Sequence, residues 1–188
     1  MAAPAPHVAP RRVNFEPLAL EGAFLLSLET TTDERGSFTA TFDAEAFRDR
    51  GLEATVARAA VSTNERAHTL RGMHLQREPH AEAKVIRCTR GAIFDVLIDL
   101  RPSSPSYRDW IGVELRADDL SAVYAPAGVA HGFLTIVDHA EVSYLLSAGY
   151  QVDQATGVRW DDPAFGVEWP AAPAVISDRD AGWPDYRG

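Results

Sequence analysis

Ala92-Ile93-Phe94-Asp95-Val96-Leu97-Ile98-Asp99-Leu100 puts Phe94, Val96, Ile98 and Leu100 on one face of an extended chain and Asp95 and Asp99 on the other. A period of two in a stretch so rich in branched and aromatic side chains is the pattern of a half-buried β-strand. Lys84–Arg90 precedes it across Arg90-Gly91, and the two read as the arms of a hairpin. On either side the same kind of run recurs at short spacing. Strands are expected at Gly22–Glu29, Ser37–Phe42, Thr55–Ser62, His68–Gln76, Trp110–Leu115, Ala122–Ala125, His131–Val137 and Glu141–Ser147. Turn signals separate them: Asp33-Glu34-Arg35-Gly36, the polar Thr63–Ala67 and the Pro/Ser-rich Arg101–Ser106. A helix is expected only where Asp43 caps a short segment that Gly51 closes. Many short strands with one or two short helices predict an all-β jelly roll, a double-stranded β-helix.

At 188 residues the chain is expected to form a single domain over residues 13–188, after a disordered, Ala/Pro-rich leader at residues 1–12. The last forty residues are dense in Trp, Asp and Pro, as in Gly157–Pro163 and Glu168-Trp169-Pro170. Tryptophans are costly to leave in water, so this segment is expected to lie over the barrel as an ordered loop. No run approaches the roughly 18 apolar residues of a membrane helix. The leader has no continuous apolar core, and Cys88 is the only cysteine, so the cytoplasm is the expected compartment. A net charge of −9 argues against nucleic acid as a partner. A small anionic ligand still fits, if basic side chains cluster locally. Among 18 basic residues Lys84 is the one lysine, which favours a specific role for an ammonium there.

Two stretches carry the chemistry: Arg71-Gly72-Met73-His74-Leu75-Gln76 and Pro126-Ala127-Gly128-Val129-Ala130-His131. In each a glycine stands shortly before a histidine within β-type sequence. A metal site built on His-X-His would need an imidazole at position 76, but Gln76 stands there, and an amide is a poor transition-metal ligand. Glu78 and Glu82 lie in a loop and read as solvated. His74 used as a base needs a carboxylate to fix its tautomer, and Asp180, Asp95 and Asp99 are all candidates by type. Lys84 suits an anionic oxygen, and Tyr144, in an apolar strand, suits a proton donor. Base, oxyanion stabiliser and acid, without a nucleophile in a recognisable setting, suit proton abstraction beside a carbonyl. The plain alternatives are buried structural histidines, a core tyrosine, surface charges at Arg35 and Arg71, and packing for Cys88.

From Gly22 onward the chain resembles the dTDP-4-dehydrorhamnose 3,5-epimerase family of cupin-fold enzymes. The resemblance rests on the Asp33–Gly36 turn, LRGMHLQ at Leu70–Gln76, KVIRCTRGAIFDVLIDLR at Lys84–Arg101 and YAPAGVAHGF at Tyr124–Phe133. It continues through Tyr144 and Tyr150 to GVRWDDPAFGVEWP at Gly157–Pro170 and the closing Ile176–Asp180. It implies a homodimeric enzyme without metal or other cofactor, acting on a nucleoside-diphosphate 4-keto-6-deoxy sugar. The residues it implies as catalytic are His74 (base), Asp180 (its orienting carboxylate), Tyr144 (acid) and Lys84 (enolate stabiliser). Those it implies in substrate binding are Arg35, Arg71, Gln76, His131 and Tyr150.

Three positions depart from the family's usual residues: Ala40 where a glutamate is usual, and Arg58 and Ala60 where glutamine and asparagine are. Leu75 replaces a frequent aromatic. These positions belong to ligand recognition, so the proton-transfer set is expected intact while the accepted sugar or nucleotide is open. Epimerisation at C3 alone or C5 alone, a metal-dependent cupin, and a non-catalytic nucleotide-sugar-binding protein are the alternatives.

Overall fold

The structure is a computed structural model that describes residues 13–188; the expected leader, residues 1–12, lies outside the described residues. In chain order the elements are β1 (Val13–Pro17), β2 (Phe24–Leu28), β3 (Thr30–Asp33), β4 (Gly36–Thr39), α1 (Ala44–Arg48), β5 (Arg58–Asn64) and β6 (Leu70–Gln76). They continue with β7 (Lys84–Arg90), β8 (Ala92–Asp99), β9 (Trp110–Arg116), β10 (Ser121–Ala125), β11 (Val129–Thr135), β12 (Ala140–Leu146), β13 (Ala155–Gly157) and α2 (Asp178–Ala181). Among the described residues, six strands form one antiparallel sheet in the order β1-β2-β10-β7-β12-β5, five form a second in the order β13-β6-β11-β8-β9, and β3 and β4 form a two-stranded sheet.

From β5 to β12 the chain passes repeatedly between the two sheets, the winding of a jelly roll. The expected hairpin about Arg90-Gly91 is therefore corrected. β7 pairs with β10 and β12 in one sheet, whereas β8 pairs with β9 and β11 in the other. Gly91 is the corner between them: its φ is +77°, and a Cβ there would stand 2.8 Å from Val137 Cγ2.

The half-buried reading of β8 is corrected as well, because both of its faces are covered. Ile93 and Leu97 point between the sheets, into a core shared with Ile86, Val123, Val142 and Phe133. Val96 and Ile98 point outward, where the C-terminal segment lays Val158 and Phe165 over them, with Phe94 and Trp169 alongside. The segment is thus an ordered cover, as its tryptophans suggested. A third cluster covers the outer face of the six-stranded sheet around Phe47 of α1. The Asp43 carboxylate caps this helix, accepting from the N–H groups of Glu45 and Ala46. At five residues α1 cannot hold itself together, and the Phe47 ring anchors it against Phe15, Phe42 and Tyr124. No helix among the described residues is long and apolar enough to cross a membrane.

Candidate active site

The two histidines meet because β6 and β11 are neighbours whose register places His74 opposite His131. A shift in that register follows at once, between His131 and Phe133, where the backbones come close. Glycine makes the approach possible: Gly72 has φ +137°, and a Cβ there would lie 2.4 Å from Gly132 Cα. A Cβ on Gly132 would in turn lie 2.5 Å from Met73 Sδ. Both imidazoles line a cavity of about 360 Å³ between the ends of the two sheets.

His74 faces this cavity and its side chain is 42% exposed. Its Nε2 lies 2.7 Å from Asp180 Oδ1 on α2. The other oxygen of Asp180 accepts from the Gly72 N–H at 3.1 Å, so the carboxylate is fixed at both ends. Burial alone would raise the Asp180 pKa, but His74 and the Gly72 N–H outweigh it and hold the carboxyl below its usual range. An ionised Asp180 therefore orients the ring. His131 is buried, and its Nε2 lies 2.6 Å from Asp95 Oδ1 on β8. Of the three carboxylates open by type, Asp180 takes His74 and Asp95 takes His131. Asp99 instead accepts from Arg101, Ser104 and Ser106.

The opposite wall is built by the six-stranded sheet. Tyr144 of β12 packs edge-on to His131, with ring centroids 6.1 Å apart, and its hydroxyl lies 3.2 Å from Ser62 Oγ. Burial pushes that hydroxyl well above the usual tyrosine range, against the lowering effect of Ser62 and helped by the charge of Asp95. Tyr144 is thus protonated at neutral pH. Lys84 opens β7 and is 5% exposed; its Nζ lies 3.0 Å from Glu82 Oε1, an ion pair not aligned as a hydrogen bond. Burial pushes the Lys84 pKa down, with Glu82 opposing the shift and Arg58 adding to it.

Eight of the nine expected residues line this one cavity: His74, Asp180, Tyr144, Lys84, Arg71, Gln76, His131 and Tyr150. Arg35 does not. It sits on the β3–β4 turn with its side chain 83% exposed, bonded to Asp33 two residues earlier. Gln76 lines the cavity, but its amide is committed elsewhere. Nε2 donates toward His80 O, Glu82 Oε2 and Gly149 O, and Oε1 accepts from the Gln151 N–H. These bonds tie the loops beside the cavity together. Glu82, expected in solvent, is 6% exposed and bound to Lys84. Sequence reasoning missed Ser62 and Arg179. Ser62 had a usable signal, since it alternates with Ala60 along β5, the strand beside Tyr144. Among the described residues no three His, Cys, Asp or Glu side chains converge on a metal-sized point, and each histidine's Nε2 already faces a carboxylate.

The arrangement can take a proton with one wall and give one with the other. The family model described as dTDP-4-dehydrorhamnose 3,5-epimerase matches residues 17–187. The chain is 36% identical over 171 residues to the dTDP-4-dehydrorhamnose 3,5-epimerase of Sinorhizobium fredii, covering 90% of this chain and 88% of that one. It is 37% identical over 171 residues to the dTDP-4-dehydrorhamnose 3-epimerase of Streptomyces niveus, covering 89% and 81%. The crystal structure of dTDP-4-dehydrorhamnose 3,5-epimerase from Bacillus anthracis, with TDP and PPi bound, matches with a TM-score of 0.88 at 34% identity, covering 93% and 99%. A match of this length in sequence, on a barrel of the same shape, makes the chain a member of the dTDP-4-dehydrorhamnose 3,5-epimerase family.

Proposed function

We propose that this protein is a carbohydrate epimerase that inverts C3 and C5 of a nucleoside-diphosphate 4-keto-6-deoxy sugar, with dTDP-4-dehydro-6-deoxy-D-glucose as the substrate. The C4 ketone acidifies the C–H bonds on both sides of it. His74, oriented by Asp180, removes one proton, and the electron pair moves through the new C=C bond onto the C4 oxygen. The Lys84 ammonium stabilises that enolate oxygen in a site shielded from water. Tyr144 then donates its hydroxyl proton to the opposite face, and solvent exchange returns His74 and Tyr144 to their starting states. Because the ketone is itself the electron sink, these steps call for no cofactor. Arg71, His131 and Tyr150 are the residues we assign to holding the ligand.

One observation carries this reading: a half-exposed His74 held by a buried Asp180 on one wall of the cavity, and a protonated Tyr144 with a buried lysine on the other. A second reading, inversion at C3 alone, is the activity named for the Streptomyces niveus relative. Incubation with dTDP-4-keto-6-deoxyglucose in heavy water, followed by NMR of the sugar, separates the two. Deuterium at C3 and C5 supports the double epimerase, deuterium at C3 alone supports the restricted one, and no deuterium overturns both.

We also read the chain as a cytoplasmic homodimer. Its one cysteine is buried and unpaired, in keeping with a reducing compartment. β1 is an edge strand of the six-stranded sheet and β3–β4 a separate two-stranded ribbon, and we assign these as the surfaces a second copy would use. Light scattering tests the assembly, and a monomer mass at micromolar concentration would sink it.

A further inference from the structure

Glu82, Arg58 and Lys84 form a charge cluster on the cavity wall, of which the proton-transfer scheme uses only the lysine. Glu82 lies in the loop before β7, is 6% exposed, and divides its carboxylate. Oε1 lies 3.0 Å from Lys84 Nζ, while Oε2 accepts from Gln76 at 3.1 Å and lies 4.0 Å from Arg58 Nη2. Arg58, on β5, has its guanidinium 5.2 Å from the Tyr150 ring centroid, a stack that holds it at the cavity. The remaining ionisable groups of the cavity have partners of their own. His74 is bonded to Asp180, His131 to Asp95, Tyr144 to Ser62 and Arg71 to Asn64, while Arg179 stacks on Trp183.

Charge then poses a problem. A buried lysine needs a counter-ion to stay protonated, yet a Lys84–Glu82 pair alone sums to zero. A neutral pair offers little to an oxygen that becomes negative during reaction. Arg58 restores a net charge of +1 to the group. Taken alone, either partner is harmful: Arg58 without Glu82 repels the ammonium, and Glu82 without Arg58 cancels it.

We propose that Arg58 and Glu82 act together as positioning residues for Lys84, the carboxylate holding the ammonium at the wall and the guanidinium keeping the cluster positive toward the enolate oxygen. This rests on the epimerase reading for its catalytic consequence but not for its electrostatics. It also gives the Arg58 departure a physical reason, since the arginine is matched by a buried carboxylate of this same chain.

The test is the cycle Arg58→Gln, Glu82→Gln and the double variant, read in two ways. The first uses protein labelled with ¹⁵N-lysine, whose single Nζ resonance reports Lys84 alone. Its titration midpoint is expected to fall in Glu82→Gln, rise in Arg58→Gln and return toward wild type in the double variant, and it needs no substrate. The second is the rate of deuterium entry into the sugar. Each single variant is expected to lose on the order of tenfold in kcat, the scale reached by directly coupled neighbours, with the double variant recovering most of that loss. Additive losses, with the lysine midpoint unmoved by either substitution, would overturn the proposal. Midpoints that move as expected in a protein that labels no sugar would uphold the charge cluster and overturn the epimerase reading instead.

Discussion

His74 and His131 stand opposite each other on β6 and β11, each with Nε2 against its own carboxylate, yet the side chain of one is 42% exposed and that of the other 6%. Equal chemistry in unequal settings separates their roles. A base must reach the substrate and still be oriented from behind, which describes His74. His131 is closed in by Asp95, Phe133 and Tyr144, which fixes its ring as part of the wall that holds the ligand and not as a second base.

Replacing His74 with alanine is therefore expected to stop deuterium entry at both carbons. General-base removal typically costs about 10²–10⁴-fold in rate, while affinity for a nucleotide sugar should stay within a few-fold. Calorimetry alongside the exchange assay checks both halves. Parallel loss of binding would mean that His74 holds the ligand and that the proton goes elsewhere.

Tyr144→Phe separates proton removal from proton return. The ring and its packing against His131 remain, and only the hydroxyl is lost. His74 can still take the proton and hand back deuterium from the same face, so label should enter without inversion. Inverted product is expected to fall on the order of 100-fold, within the range of general-acid removal. If label and inversion fall by the same factor, Tyr144 is not a separate acid.

The sequence disclosed the residue types and the barrel but not the pairings, and physics explains the division. Alternation along Ala92–Leu100 identifies a strand, since side chains must alternate across the pleat; it carries no information on what covers the outer face, here Phe165 and Trp169 from seventy residues on. Nor does it say that the chain changes sheets at Gly91, because a corner and a hairpin turn use the same residue. Asp95 and Asp180 are interchangeable by type, and only the pairing of β11 with β8, together with the return of α2 against β6, assigns them. Glu82 looked solvated because a loop carboxylate usually is, and its burial becomes visible only when Lys84 and Gln76 surround it.

Gly72→Ala tests the close approach that brings the two histidines together. The new methyl would meet Gly132 Cα at 2.4 Å, a backbone atom with nowhere to retreat, at a φ of +137° that alanine resists. Overpacking and backbone strain together are expected to cost on the order of 3 kcal/mol. Denaturant unfolding reads the cost, and the Gly72 N–H bond to Asp180 predicts slower deuterium entry in whatever folds. A variant of unchanged midpoint and unchanged rate would show that the strands can separate freely.

Asp99 supplies a dependence of stability on pH that is independent of the cavity. Burial alone would raise its pKa, but Arg101, Ser104, the Arg101 N–H and Ser106 outweigh burial and hold the carboxyl well below the usual range. A depressed folded-state pKa means that the ionised form is the one the fold binds. The contribution is fully present above the unfolded value of about 3.9 and is lost as pH falls toward the folded value. Asp99→Asn leaves Arg101 without its charge partner in a half-buried turn. It is expected to destabilise the protein by about 3 kcal/mol near pH 6, the scale of a broken buried ion pair. Between about pH 4 and pH 2 the difference from wild type should shrink, because the wild-type carboxylate is then losing its own advantage. Urea unfolding of both proteins across that range is the check. A difference that stays constant down to pH 2 would show that Asp99 stabilises the turn by shape and hydrogen bonding alone, and that its charge adds nothing.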